Sequence, residues 1–180
     1  MRTKTSEPVH NRAATRKSLL KRRPNQTASK LKNTLPQHPS VLLDAKQRGE
    51  LVEMMFMVQA SGGLIVAKPY GDSRRYDFIT DAGKRLRRVQ VKSTSHRTGR
   101  GYCVNATARR HARSVYTAAD IDFLIAYVIP RDVWYVVPVA DLRSSTFRVY
   151  PDGCRRGGLY EQYRESWHSL GIPGADWPTH

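Results

Sequence analysis

The run Asp120-Ile121-Asp122-Phe123-Leu124-Ile125-Ala126-Tyr127-Val128-Ile129 limits the possible folds more than any other stretch. Beyond Asp122 it offers no polar residue at alternate positions to face water. As a strand it must therefore be covered on both sides, which is the habit of strands inside α/β sheets. Pro130-Arg131-Asp132 is a turn, and Val133-Trp134-Tyr135-Val136-Val137-Pro138 after it is predicted to return as a hairpin partner that closes the sheet. These apolar runs fall well short of the roughly 20 residues needed to span a bilayer, and the start of the chain lacks an apolar h-region. Cys103 and Cys154 form neither a disulfide framework nor a paired zinc-ligand spacing. The expectation is a cytoplasmic protein with no membrane partner.

A second stretch carries the chemistry. In Arg87-Arg88-Val89-Gln90-Val91-Lys92-Ser93, polar and apolar residues alternate, so a strand projects Gln90 and Lys92 from one face and Val89 and Val91 from the other. Upstream, Arg75-Tyr76-Asp77-Phe78-Ile79-Thr80 also reads as a strand, joined to it by Asp81-Ala82-Gly83 as a three-residue hairpin loop. A turn centred between Ala82 and Gly83 places Asp77 opposite Arg88 and diagonal to Gln90, roughly 7–8 Å away, a gap that one hydrated metal ion can bridge.

A helix is predicted from Ser40–Asp44 to the glycine stop at Ser61-Gly62-Gly63. Leu51, Met54, Met55 and Val58 follow its 3.6-residue period and are expected to face the sheet. Either Glu50 or Glu53 borders that stripe. Glu53, flanked by Val52, Met54, Phe56 and Met57, is the costlier one to bury unless it is paired or bound to metal. Leu64-Ile65-Val66-Ala67 reads as a short strand, Ser93 to Gly101 as a basic, glycine-rich loop, and Tyr102 to Asn105 as another strand. Tyr160, Tyr163, Trp167 and Leu170 have the spacing of a C-terminal packing helix.

Charge indicates the partner. The chain of 180 residues carries a formal net charge of +16, which points to a polyanion. Residues 1–43 contribute +9, residues 44–150 contribute +8, and the last thirty contribute −1. Residues 1–40 are too polar and proline-rich to bury enough surface, so a disordered basic tail making salt-dependent phosphate contacts is expected. Arg109-Arg110 forms a further basic cluster. There is no internal repeat, no glycine-rich nucleotide cradle and no Gly-x-Ser-x-Gly elbow.

At Glu53, Tyr76-Asp77 and Gln90-Val91-Lys92 the chain resembles the PD-(D/E)XK nuclease superfamily. The likeness is greatest to the group I intron-associated homing endonuclease branch, with archaeal Holliday-junction resolvases more distant. It spans roughly Lys46 to Leu142. It departs from the usual pattern at Tyr76, where proline is common, and at Gln90, where an acid is common. The resemblance implies an α/β, restriction-endonuclease-like fold with a mixed β-sheet flanked by helices. With composition and spacing at the two ends, the expected layout is a basic tail over 1–40, a nuclease-like domain over 41–150 and a C-terminal extension with a packing helix over 151–180. The catalytic set that the resemblance implies is Glu53, Asp77, Gln90 and Lys92, with Asp77, Gln90 and Glu53 holding Mg2+, or Mn2+ in its place. Arg75, Ser93, His96, Arg97, Arg100, Arg109 and Arg110 are the expected contacts to double-stranded or branched DNA. Since one such site cuts one strand, a homodimer or homotetramer is expected. The alternatives are a nucleic-acid-binding protein that kept the fold and lost the chemistry, and a basic structural or ribosome-associated protein, in which Glu53, Asp77 and Lys92 would lie far apart.

Overall fold

The computed structural model describes residues 43–71, 73–83, 85–108, 114–154 and 157–172. The expected basic tail over 1–40 and the Arg109-Arg110 cluster lie outside them.

Helix α1 spans Ala45–Ser61. Asp44 caps it by accepting the N–H groups of Lys46 and Gln47, while the Gln47 side chain accepts the Asp44 N–H, a reciprocal capping box. The buried face differs from the predicted one. Val52, Phe56 and Ala60 are buried, whereas Met54 is 53% and Val58 75% exposed. Phe56 decides the rotation of the helix, because its ring is held among Phe78, Trp134 and Trp167, with centroids 5.1, 6.4 and 6.3 Å away. Aromatic packing of this kind outweighs the periodicity of smaller side chains.

Five strands form the main sheet in the order β1-β2-β3-β6-β7. These are β1 (Ile65–Ala67), β2 (Phe78–Asp81), β3 (Leu86–Thr94), β6 (Phe123–Val128) and β7 (Val133–Pro138). The sheet is mixed: β3 runs parallel to β6 and the other pairs are antiparallel. Every residue of β6 is buried, as its composition requires. Phe123, Ile125 and Tyr127 pack on the α1 side with Val89 and Val91, and Leu124, Ala126 and Val128 pack on the other. The second face is covered by a three-stranded sheet of β4 (Arg97–Thr98), β5 (Gly101–Asn105) and β8 (Thr146–Val149), ordered β4-β5-β8. Thus the predicted Ser93–Gly101 loop is in part the β4–β5 hairpin, fastened to β3 where Thr94 Oγ1 donates to the Cys103 carbonyl at 2.7 Å.

The β2–β3 hairpin is two residues out of the predicted register. Asp81 pairs with Leu86 and Phe78 with Val89, so Ile79, not Asp77, lies opposite Arg88. Four residues, 82–85, make the connection. Asp81 Oδ1 accepts the Gly83 N–H at 2.7 Å, and Gly83 takes a left-handed φ of 81°. The Asx-type turn lengthens the connection beyond the predicted loop and carries the pairing two residues further along β3.

Residues 160–170 form two short 3₁₀ turns, Glu161–Tyr163 and Trp167–Leu170, in place of the predicted packing helix. Glu165 explains the break: at φ 48° it is outside helical space, and its carboxylate accepts from Trp134 N–H (2.6 Å) and Trp167 Nε1 (2.7 Å). These bonds pin the segment to β7 and press Trp167 against Phe56.

Candidate active site

β2 begins at Phe78, so its ladder with β3 ends at the Phe78–Val89 pair. Asp77 is the residue before β2. Its N–H donates to the Val89 carbonyl at 2.8 Å, and its Oδ2 accepts both the Val91 N–H (2.8 Å) and Gln90 Nε2 (2.6 Å). Gln90 is therefore in direct contact with Asp77, not 7–8 Å away on a diagonal as the predicted register required. Gln90 Nε2 also lies 3.3 Å from the Val91 carbonyl oxygen. Rotating that amide by half a turn exchanges its donor for an acceptor, which would direct three oxygens, from Asp77, Gln90 and Val91, at one point.

Burial governs the charge of Asp77. Desolvation pushes its carboxyl up from 3.8 to about 6; the Val91 N–H, Lys92 and Gln90 oppose that shift, and the charge of Glu53 adds to it. Lys92 leaves β3 on the same face as Gln90, half-buried, with its Nζ 5.8 Å over the ring of Tyr116. Glu53 comes from α1. Its Oε2 accepts from Lys68 Nζ at 2.8 Å, and that bond, together with the charges of Glu53, Asp77 and Glu50, raises the Lys68 pKa against the effect of burial. Glu50 instead faces Lys46 at 3.8 Å and is more exposed, with a side chain 57% open against 24% for Glu53. Of the two helix acids, Glu53 is the one coupled to Asp77.

The four predicted residues are thus brought to one end of the sheet. Asp77 and Gln90 touch, and Lys92 and Glu53 act on Asp77 through charge. Among the described residues, no group of three or more His, Cys, Asp or Glu side chains is placed to hold a metal. An amide occupies the third position. The donors present, two carboxylates, an amide carbonyl and a backbone carbonyl, are hard oxygens of the kind Mg2+ and Mn2+ accept, so the residues fit such an ion.

The expected DNA contacts divide into three groups. His96, Arg97 and Arg100 are exposed on the β4–β5 hairpin. Arg75 is paired with Asp120 at 3.1 Å, and Ser93 is half-buried within β3. Arg109 and Arg110 are not among the described residues.

Two residues of the site have no signal in the sequence. Lys68 is a lone lysine after a three-residue strand. Tyr116 lies in a polar segment far from any motif, yet it is buried, and its hydroxyl is pushed up to about 12 by burial and by Asp77. Tyr116 is kept near Asp77 by the clamp that follows it. There, the Arg88 guanidinium donates to the carbonyls of Ala118 and Ala119 (2.7 and 2.5 Å), and Asp122 accepts the Arg88 N–H (2.7 Å).

A helix acid, the aspartate that precedes the second strand and a Gln-x-Lys on the third thus lie at one end of a mixed sheet of the restriction-endonuclease-like fold. Comparison with known proteins gives the family. The sequence model of the PD-(D/E)XK endonuclease family matches residues 43–169, and the chain belongs to that family. Among solved structures, the bacterial homing endonuclease I-Ssp6803I is similar, with 33% sequence identity and a TM-score of 0.62 over 71% of this chain and 93% of that one. No curated protein matches. No helix among the described residues is long and apolar enough to cross a membrane.

Proposed function

We infer that the protein is a metal-dependent endodeoxyribonuclease, cutting duplex or branched DNA in the manner of a homing or junction-resolving enzyme. One observation carries the reading. Asp77, Gln90 and the backbone of Val91 meet at the edge of β3 beyond Val89, with Lys92 beside them, and a carboxyl held near 6 is ionised at neutral pH. In this reading Asp77, Gln90 with its amide turned and the Val91 carbonyl hold Mg2+ or Mn2+. The ion supplies a bound water of lowered pKa and neutralises charge developing on the phosphate. Lys92, a compact cation, holds the attacking water or a non-bridging phosphate oxygen. Glu53 orients a water on the opposite side of Asp77. Gln90 in place of an acid weakens ion binding by removing one negative charge and leaves the oxygen donor.

The β4–β5 hairpin, through His96, Arg97 and Arg100, grips the phosphate backbone, helped by the basic N-terminal stretch. A second copy of the chain would provide the second cut of a duplex. The family match and the 33% identity to a homing endonuclease support this reading.

The test is a cleavage assay with Mg2+ or Mn2+ on supercoiled, linear and four-way-junction DNA and on duplex DNA carrying a group I intron insertion site. Wild type is expected to cut at least one of these, and Lys92→Ala to bind the same DNA without cutting. Failure to cut any of them would favour the inactive binding protein.

A further inference from the structure

Lys68 stands where the proposed centre needs positive charge. Its Nζ is 2.8 Å from Glu53 Oε2 and 5.6 Å from the ring centroid of Phe78, the residue next to Asp77. It leaves the end of β1, so it is independent of both the Gln-x-Lys strand and the helix that carries Glu53. Glu53 and the half-buried Asp77 repel each other, and a cation beside Glu53 offsets that repulsion in the protein without metal. The Lys68 side chain is 57% exposed, which leaves it room to move away.

We propose that Lys68 is an exchangeable counter-ion of the Glu53–Asp77 pocket: it neutralises Glu53 while no divalent cation is bound and is displaced when one enters. The proposal rests on the metal-dependent reading above. The Lys68 ammonium is paired with Glu53 and acts through charge on Asp77, so it repels a divalent ion entering beside them and opposes its binding. Lys68 is thereby a positioning residue. It holds Glu53 turned toward the pocket and sets the metal concentration at which Glu53 is released to orient water.

A half-exposed ion pair of this kind shifts an equilibrium about two- to fivefold, which sets the expected effect. Mn2+ affinity, measured calorimetrically on the DNA-free protein at constant pH and salt, is expected to be about two- to fivefold tighter for Lys68→Met than for wild type. Lys68→Arg keeps the charge and is expected to stay near wild type. Unchanged or weaker Mn2+ binding in Lys68→Met would overturn the proposal and leave Lys68 an ordinary surface ion pair. Absence of Mn2+ binding to wild type as well as to both variants would instead overturn the metal-dependent reading, and this proposal with it.

Discussion

Asp77→Asn is expected to stabilise the fold while removing the chemistry. The folded-state carboxyl lies at about 6 against 3.8 in the open chain, chiefly because burial disfavours the charge. A pKa raised in the folded state means that the fold binds the protonated form more tightly. The cost of ionised Asp77 is therefore absent below about pH 3.8, grows between 3.8 and 6, and is complete above 6. At 1.36 kcal/mol for each pKa unit it amounts to about 3 kcal/mol at pH 7.5 and about half that at pH 5. That figure is already net of the help from the Val91 N–H, Gln90 and Lys92; asparagine keeps an acceptor for those donors but adds an amide N–H pair that must itself find partners, which takes back part of the gain. The expected net gain is about 1–2 kcal/mol at pH 7.5, or roughly 2–8 °C in Tm for a chain of this size. Urea and thermal unfolding in EDTA at pH 7.5 and pH 5, beside a cleavage assay, measure both halves. An Asn variant less stable than wild type at pH 7.5, a gain that does not shrink at pH 5, or cleavage at the wild-type rate would refute the reasoning.

Two further outcomes follow from the same geometry. Gln90→Glu places a second carboxylate against Asp77, so Mn2+ affinity is expected to tighten about tenfold by calorimetry while the metal-free protein loses roughly 1–3 kcal/mol in urea unfolding. Phe56→Ala empties the aromatic cluster that sets the rotation of α1, and is expected to cost about 3–5 kcal/mol and to weaken cleavage by loosening Glu53. A loss below about 1 kcal/mol would mean that Phe56 does not anchor the helix.

Strictly local patterns in the sequence carried over to the structure. Alternation over Val89 to Lys92 put the amide and the ammonium on one face of β3, and the unbroken apolar run after Asp122 required a strand covered on both sides. What the sequence concealed depends on distant partners. The rotation of α1 is decided by Trp134 and Trp167, about eighty and one hundred and ten residues beyond Phe56, and methionine and valine spacing cannot report them. The β2–β3 register depends on the length of the connecting loop, and a two-residue shift there moved Gln90 from a diagonal into contact with Asp77. The second sheet pairs Cys103 with Arg148, a partner that no local pattern announces. The aromatic spacing from Tyr160 to Leu170 looked helical because Glu165, which breaks it, is set by hydrogen bonds to Trp134 and Trp167. Lys68 entered the site only through the path of the chain after β1.

The central claim is that the edge of β3 beyond Val89 holds a divalent cation between Asp77, Gln90 and Val91. Anomalous scattering from crystals soaked in Mn2+ tests it most directly. The account predicts a peak within coordination distance of an Asp77 carboxylate oxygen and the Val91 carbonyl, with the Gln90 amide turned to present Oε1. Crystals without a peak there, with Gln90 Nε2 still hydrogen bonded to Asp77, would contradict it.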